Sequence, residues 1–271
     1  MLRFEVLRRY RMCGMVADTR KIFVSTWQGY AQRFPSGEQL THPGMEIAFA
    51  GIAVPLFNLA FPNSKAELSR EEFEHLQGEF KKILKARGVP GIMFLRTGQV
   101  KTNTGIEAMF RMPGMVAGEL LPPKRVLGEF VIREIAGAAM AEEIARLNVV
   151  CHEMELKDVA ELNCAELWGG PNHGFLLYKE GAAVAGGSAS FVAGASYIGW
   201  MATLPEHRGR GYAEALLRHM DTYMRLRYGV KETVLHATEM GRPVYERMGF
   251  RVVDEFAAYL CVPEMKMGSA I

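Results

Sequence analysis

Trp200-Met-Ala-Thr-Leu-Pro-Glu-His-Arg-Gly-Arg-Gly-Tyr-Ala-Glu-Ala-Leu-Leu217 holds the end of a strand, a break and the start of a helix. The pattern predicts a strand over residues 196–204, stopped by Pro205. An amphipathic helix from about Gly211 to Arg227 follows, with Ala213, Leu216, Leu217, Met220 and Met224 on one face. Gly209 and Gly211 supply the turn. There the N–H groups of the loop and of the first helical residues point the same way, with the positive end of the helix dipole behind them. Glycine lets an anion's oxygens approach, and Arg208 and Arg210 can add charge-assisted hydrogen bonds. This physics points to a phosphate or pyrophosphate ligand. A P-loop is excluded because no Gly-Lys-Ser/Thr follows, and a Rossmann fingerprint because Glu214 stands where its third glycine belongs.

Outward from this segment the pattern stays regular. Strands are expected at 129–135, at 175–180 and 183–192 as a hairpin around Glu180-Gly181, at 232–238 and at 251–262. Helices are expected at about 138–148, 157–168 and 242–248. Upstream, residues 44–62 read as apolar strands broken at Pro55. Residues 69–87 read as a helix with Ser69 as N-cap and Glu72 at N3, stopped by Gly88 and Pro90, and a short strand follows at 92–95. The seam is Leu120-Leu-Pro-Pro-Lys-Arg125, where paired prolines favour an extended connector. The expectation is an α+β (mixed α/β) protein with a smaller α/β domain over 1–125 and a second domain over 126–271.

Composition narrows the function. Apolar residues are 49% and charged residues 23% of 271, which excludes a disordered or coiled-coil chain. With 32 basic against 30 acidic residues the net charge is +2, so no nucleic-acid partner is expected. Cys13, Cys151, Cys164 and Cys261 form no CxxC pair, so neither a metal site nor a disulfide framework is expected. The charged N-terminus lacks a signal peptide's apolar region, and the apolar run 45–61 is too short and interrupted to span a bilayer. A cytoplasmic protein with no membrane partner is expected.

Arg208-x-x-Gly211-x-Ala213, set between a strand and an amphipathic helix, resembles the pyrophosphate loop of the GNAT acyltransferase superfamily. A strand later, Tyr245-x-x-x-Gly249-Phe250 resembles that superfamily's second signature, and the upstream strand and helix order matches its fold. The resemblance covers about residues 128–263 and implies a splayed, mixed central sheet. It further implies an N-acyltransferase that moves an acetyl or other acyl group from acetyl-CoA to a primary amine by direct attack, without a metal. Acyl-CoA would lie between two parallel strands that splay apart, the first being 196–204, with Gly199 as a bulge or bend. Backbone groups of Met201, Ala202 and Thr203 would meet the pantetheine arm, and one N–H could stabilise the oxyanion. The amides of Gly209, Arg210, Gly211, Tyr212 and Ala213 would hold the pyrophosphate. Tyr245 corresponds to the family's usual general acid; Thr238 stands where many members have a cofactor-contacting asparagine.

Other roles stay open. Glu153, Glu155, Glu206, His236 and Glu239 are all conceivable general bases, while His42, His173 and His207 read as satisfied surface or core residues. The acceptor is a small-molecule amine or a peptide. The N-terminal half lacks the glycine loop. Its helix and strand, followed by Phe110-Arg-Met-Pro-Gly-Met115, suggest a degenerate copy of the same fold, with Trp27, Phe57, Asn58 and Asn63 as candidate acceptor-pocket residues or, as the readier reading, core or turn residues. Two other readings compete: a non-catalytic acyl-CoA-binding regulatory protein, and an N-terminal half that serves only for interaction, for instance in a homodimer.

Overall fold

The computed structural model describes residues 17–64, 67–97, 99, 107–124 and 128–262; Cys13, Arg125 and the N-terminal segment read for a signal lie outside the described residues. Along the chain run α1 (Thr19–Ala31), β1 (Thr41–His42), β2 (Met45–Phe49), β3 (Asn58–Pro62), α2 (Arg70–Arg87), β4 (Gly91–Arg96), β5 (Phe110–Ala117) and β6 (Val131–Glu134). Then come α3 (Gly137–Cys151), α4 (Asp158–Leu162), β7 (Asn172–Lys179), β8 (Ala182–Val192), β9 (Ala195–Thr203), α5 (Tyr212–Tyr228), β10 (Thr233–His236), α6 (Arg242–Arg247) and β11 (Arg251–Cys261). They divide into two units. The first joins residues 17–26 to Met112–Glu255, and the second joins Trp27–Arg111 to residues 256–262. The proline seam therefore falls inside the first unit, and the chain passes between units within α1, β5 and β11.

In the first unit the strands lie in the order β5-β10-β9-β8-β7-β6. All neighbours are antiparallel except β9 and β10, which run parallel. Alternation along the strands sorts side chains to two faces. Phe175 and Leu177 of β7 join Leu216, Leu217, Met220 and Met224 of α5 in one core, whereas Leu176 joins Ala141, Ile144 and Leu147 of α3 in another. α5 is thus clamped to the sheet by the apolar face read from the sequence. At the other side of this unit, the first half of α1 buries Phe23, whose ring stacks on His236 with centroids 4.0 Å apart. Thr19 donates to Asp254 at 3.1 Å and the Ala17 N–H to Glu232 at 2.9 Å. Burial pushes the His236 imidazole down to a pKa of about 3, so it packs as a neutral ring. His173, expected to be satisfied, is: its Nδ1 lies 2.6 Å from Glu134 and its Nε2 2.8 Å from the Tyr228 hydroxyl.

The second unit has the order β1-β2-β3-β4-β11, antiparallel except for the parallel pair β3 and β4. α2 joins β3 to β4 and buries Phe73, Phe80 and Leu84 against Met45, Met93 and Tyr259. Three of the candidate acceptor-pocket residues take the core role that was also open to them. Trp27 and Phe57 pack edge-to-face at 5.3 Å, and fully buried Asn58 donates to the carbonyls of Ile52 and Pro90 while accepting from the Gly51 N–H. Asn63 lines a groove of about 270 Å³ beside Gln28, His42 and Glu46.

Two expectations are corrected. The helix over 157–168 breaks into α4 and a single 3-10 turn at Ala165–Leu167. The strand β5 appears where only an aromatic-and-methionine segment was read; Pro113 stands where the named pairing with β10 ends, its carbonyl accepting from the Ala237 N–H while its own nitrogen can return no bond. The N-terminus of α2 carries a complete capping box, Ser69 Oγ accepting from Glu72 N–H at 3.2 Å and Ser69 N–H donating to Glu72 at 2.7 Å. Ser69→Ala should therefore cost about 1 kcal/mol of unfolding free energy, read from urea titrations; an unchanged midpoint would mean that the box contributes nothing.

Candidate functional site

The pairing of β9 with β10 is short. Ser196, Tyr197 and Ile198 face Thr233, Val234 and Leu235, and there the ladder stops. The cause lies on the other edge of β9. Gly186 and Ser188 of β8 face Ala202 and Gly199, so Gly187 alone stands opposite Trp200 and Met201. This is a β-bulge, and within it Trp200 takes a left-handed φ of 54°. The sequence placed the irregularity at Gly199; the extra residue is its neighbour, held by tertiary packing of the Trp200 indole on Trp168 with centroids 5.4 Å apart. A Cβ at Gly187 would lie 2.6 Å from the Met201 sulfur, so a larger residue there would have to move the Met201 side chain.

Beyond the bulge β9 carries on to Thr203 while β10 has ended at His236. Leu204 N–H donates to Val184 of β8, so by alternation Thr203 turns its N–H to the edge that β10 has left. A cavity of about 1010 Å³ opens at this gap. Met201, Ala202 and Thr203 line one side; Thr238, Met240 and Tyr245 line another, and Arg208, Gly209, Gly211, Tyr212 and Ala213 complete it. The expected residues therefore converge, with one exception: Arg210 is exposed and does not line the cavity.

The loop has the conformation the glycines were expected to provide. Gly209 has φ 72° and Gly211 φ 88°, values at which any other L residue would be strained. Gly211 is the N-cap of α5 and offers no side-chain cap. The first helical hydrogen bond is donated by Ala215 to the Gly211 carbonyl, so Tyr212, Ala213 and Glu214 have no helix carbonyl for their N–H groups. Those groups aim at the cavity with the helix dipole behind them. Arg208 Nε donates to the Thr203 carbonyl at 3.1 Å and its Nη2 to the Cys151 carbonyl at 3.4 Å, tying the end of β9 to the C-terminus of α3. Its charge still borders the cavity.

Tyr245 comes from α6, started by Pro243 near its N-terminus. The ring is 7% exposed and packs edge-to-face on Phe250 at 5.9 Å. Desolvation pushes its phenol up to a pKa of about 12, so at neutral pH it holds its proton. Thr238 Oγ1 accepts from the Gly241 N–H at 3.1 Å and so shapes the turn into α6. Of the open candidates for a base, Glu239 lines the cavity, whereas Glu153, Glu155, Glu206 and His236 do not. His42 binds locally, its Nδ1 accepting from the Gly44 N–H. His207 lines the cavity, and its Nδ1 is buried with no hydrogen-bond partner among the described residues. Sequence reasoning passed over Cys151 and His152 at the end of α3, which the fold brings to the same cavity. Burial raises the Cys151 thiol pKa, with Arg208 opposing; burial, then Arg208, lowers that of His152. No local motif marks either one. Among the described residues no cluster of side chains suited to a metal is present, and no helix is long and apolar enough to cross a membrane.

Residues 171–252 match the family model described as an acetyltransferase (GNAT) domain. No curated protein matches the chain. Among solved structures it is similar to a GCN5-related N-acetyltransferase from Kribbella flavida, at 16% identity and TM-score 0.66 over 94% of this chain and 98% of that one. A functionally unknown conserved protein from Staphylococcus epidermidis aligns at 10% identity and TM-score 0.63, over 86% and 96% of the two chains. A tandem GNAT protein from the clavulanic acid biosynthesis pathway aligns at 12% identity and TM-score 0.50, over 92% and 97%. Residues 171–252 are thus similar to a GNAT acetyltransferase domain, and the chain shares its fold with a GCN5-related N-acetyltransferase.

The phenol has a consequence for stability. A tyrosine titrating near 12 when folded and near 10 when unfolded stabilises the fold below pH 10, and that contribution is lost as pH rises through 12. Tyr245→Phe should accordingly show a shallower fall in unfolding free energy from pH 10 to 12 than the unaltered protein, measured by denaturant titration. Parallel curves would show that the phenol is not desolvated.

Proposed function

We propose that this protein is an N-acyltransferase that moves an acetyl group from acetyl-CoA to a primary amine by direct attack in a ternary complex. The observation that carries the reading is the gap where β9 leaves β10, with uncapped amides of α5 at one end and Tyr245 beside it. The amides from Gly209 to Ala213 would hold the pyrophosphate, with Arg208 supplying charge at the rim. The free edge of β9 at Met201, Ala202 and Thr203 would pair with the pantetheine arm, and Thr238 would border it. A backbone N–H near the bulge would receive the oxyanion as the amine adds to the thioester carbon. The C–S bond then breaks, and Tyr245 gives its proton to the leaving sulfur. A phenol kept protonated by burial suits that role. The acceptor is a small amine or a peptide.

We read the second unit's β3–α2–β4 as a degenerate counterpart of β9–α5–β10. Both place a helix between two parallel strands. Ser69 and the carboxylates Glu71 and Glu72 occupy the N-terminus of α2, where α5 offers bare amides, so one acyl-CoA per chain is expected.

Acetyl-CoA binding by calorimetry, with thiol release across a panel of amines, tests the assignment. Ala213→Glu is the informative variant. A carboxylate in the first turn favours the helix, so melting should be unchanged or slightly higher, while the phosphate is repelled and affinity drops at least tenfold. Unaltered affinity in that variant would remove the pyrophosphate site from the loop. Tyr245→Phe should lower kcat by about 10² with acetyl-CoA affinity retained; loss of both together would make the ring a packing residue.

A further inference from the structure

We propose that His152 is the general base that prepares the acceptor amine; the inference rests on the acyl-transfer reading above. An ammonium group has no lone pair, so a proton must leave before nitrogen can add to the thioester. The base has to share a cavity with the thioester and be free to accept.

The described residues leave few choices. Glu155 pairs with Lys157 at 2.8 Å, and neither it, Glu153 nor Glu206 lines the cavity. His236 stacks on Phe23 away from it. Glu214 is held by Arg218 at 2.7 Å on the first turn of α5, in the phosphate cradle. His207 belongs to the turn Pro205–His207 that leads into that cradle, its ring beside Tyr212 with centroids 6.2 Å apart. His152 and Glu239 remain.

His152 is the C-cap of α3, anchored through its backbone N–H to the Asn148 carbonyl at 3.0 Å. That anchor sits on a well-held element. Asn148 is itself buried and reaches the Trp200 carbonyl at the bulge at 3.5 Å, and Arg208 fastens the Cys151 carbonyl to Thr203. His152 therefore lines the cavity from the end of α3 that Asn148 and Arg208 tie to β9. Glu239 comes instead from the turn before α6, beside the helix that carries Tyr245 rather than beside the end of β9. The His152 side chain is exposed at the cavity, yet partial desolvation there, and secondly the Arg208 cation, lower its pKa from the ordinary histidine value, so its lone pair is available at neutral pH. Cys151, Lys124, Glu239, Tyr245 and Arg247 are the other ionisable groups that share the cavity outside the cradle.

The step balances without a further reactant. His152 takes one proton from the ammonium, nitrogen adds to the thioester carbon, the C–S bond breaks, and Tyr245 protonates sulfur. The amide nitrogen's second proton replaces the one Tyr245 gave, and His152 releases its proton to water, one per turnover.

The test is the pH profile of kcat/KM at saturating acetyl-CoA, using the amine with the fastest thiol release, or water if none exceeds it. The unaltered enzyme should show an acid limb with a midpoint below 6.5. His152→Gln should fold with the same melting temperature, bind acetyl-CoA as tightly, lose about 10²-fold in kcat/KM and lack the limb. Arg208→Gln, which removes the repelling cation, should move the limb to higher pH. A limb unchanged in His152→Gln, or abolished by Glu239→Gln alone, overturns the assignment. If the unaltered protein binds no acetyl-CoA, the acyl-transfer reading falls instead, which calorimetry separates from loss of the base.

Discussion

The hydrogen-bond ladder between β9 and β10 covers three residue pairs and then ends, and the site follows from that ending. Two parallel strands normally satisfy each other's backbone groups, and an edge left open inside a protein costs free energy unless something else bonds to it. Here the bulge at Trp200 turns β9 away, and the edge at Thr203 faces a cavity. Arg208 and the Cys151 side chain meet Thr203: the guanidinium donates to its carbonyl, and the thiol lies by its N–H. A molecule with amide groups of its own could take their place. The start of α5 lies at the same opening, and Gly211 leaves it without a side-chain cap.

The two helix starts show how little chemistry separates a structural end from a ligand site. α2 and α5 each link parallel strands and each bury an apolar face. Ser69 and Glu72 turn the orphan amides of α2 inward upon the chain itself. At α5 two left-handed glycines replace them and the amides stay available. Selectivity between self-capping and ligand binding thus rests on the identity of a few residues before and within the first turn.

The segment 200–217 was legible because strand, proline, glycine turn and amphipathic helix are each written locally, and so was Ser69–Arg87 with its capping box. Most of the cavity followed from them. α1 was not legible: Ile22, Phe23, Val24, Thr26 and Trp27 are buried around much of its circumference, so no amphipathic stripe marks it. β5 was hidden by Pro113, and the bulge at Trp200 by the absence of any local residue that demands a positive φ. Cys151 and His152 escaped notice because they reach the cavity through the packing of α3 on β9, a long-range relation that spacing along the chain does not record.

The interleaving of the units bears on how the molecule is made. Phe23 and β5 leave the ribosome long before His236 and β10, the partners against which they are buried. A nascent chain must carry those apolar surfaces, and later the unpaired edge of β5, until the C-terminal strands emerge, and such pairings between distant segments form slowly. The glycine loop, α5 and α6, by contrast, lie close together in sequence and appear in quick succession. The part that resembles a separable cassette is therefore one whose edge at β10 is closed only by residues that lie outside it. Cut free at the paired prolines, it would present that edge to other copies of itself.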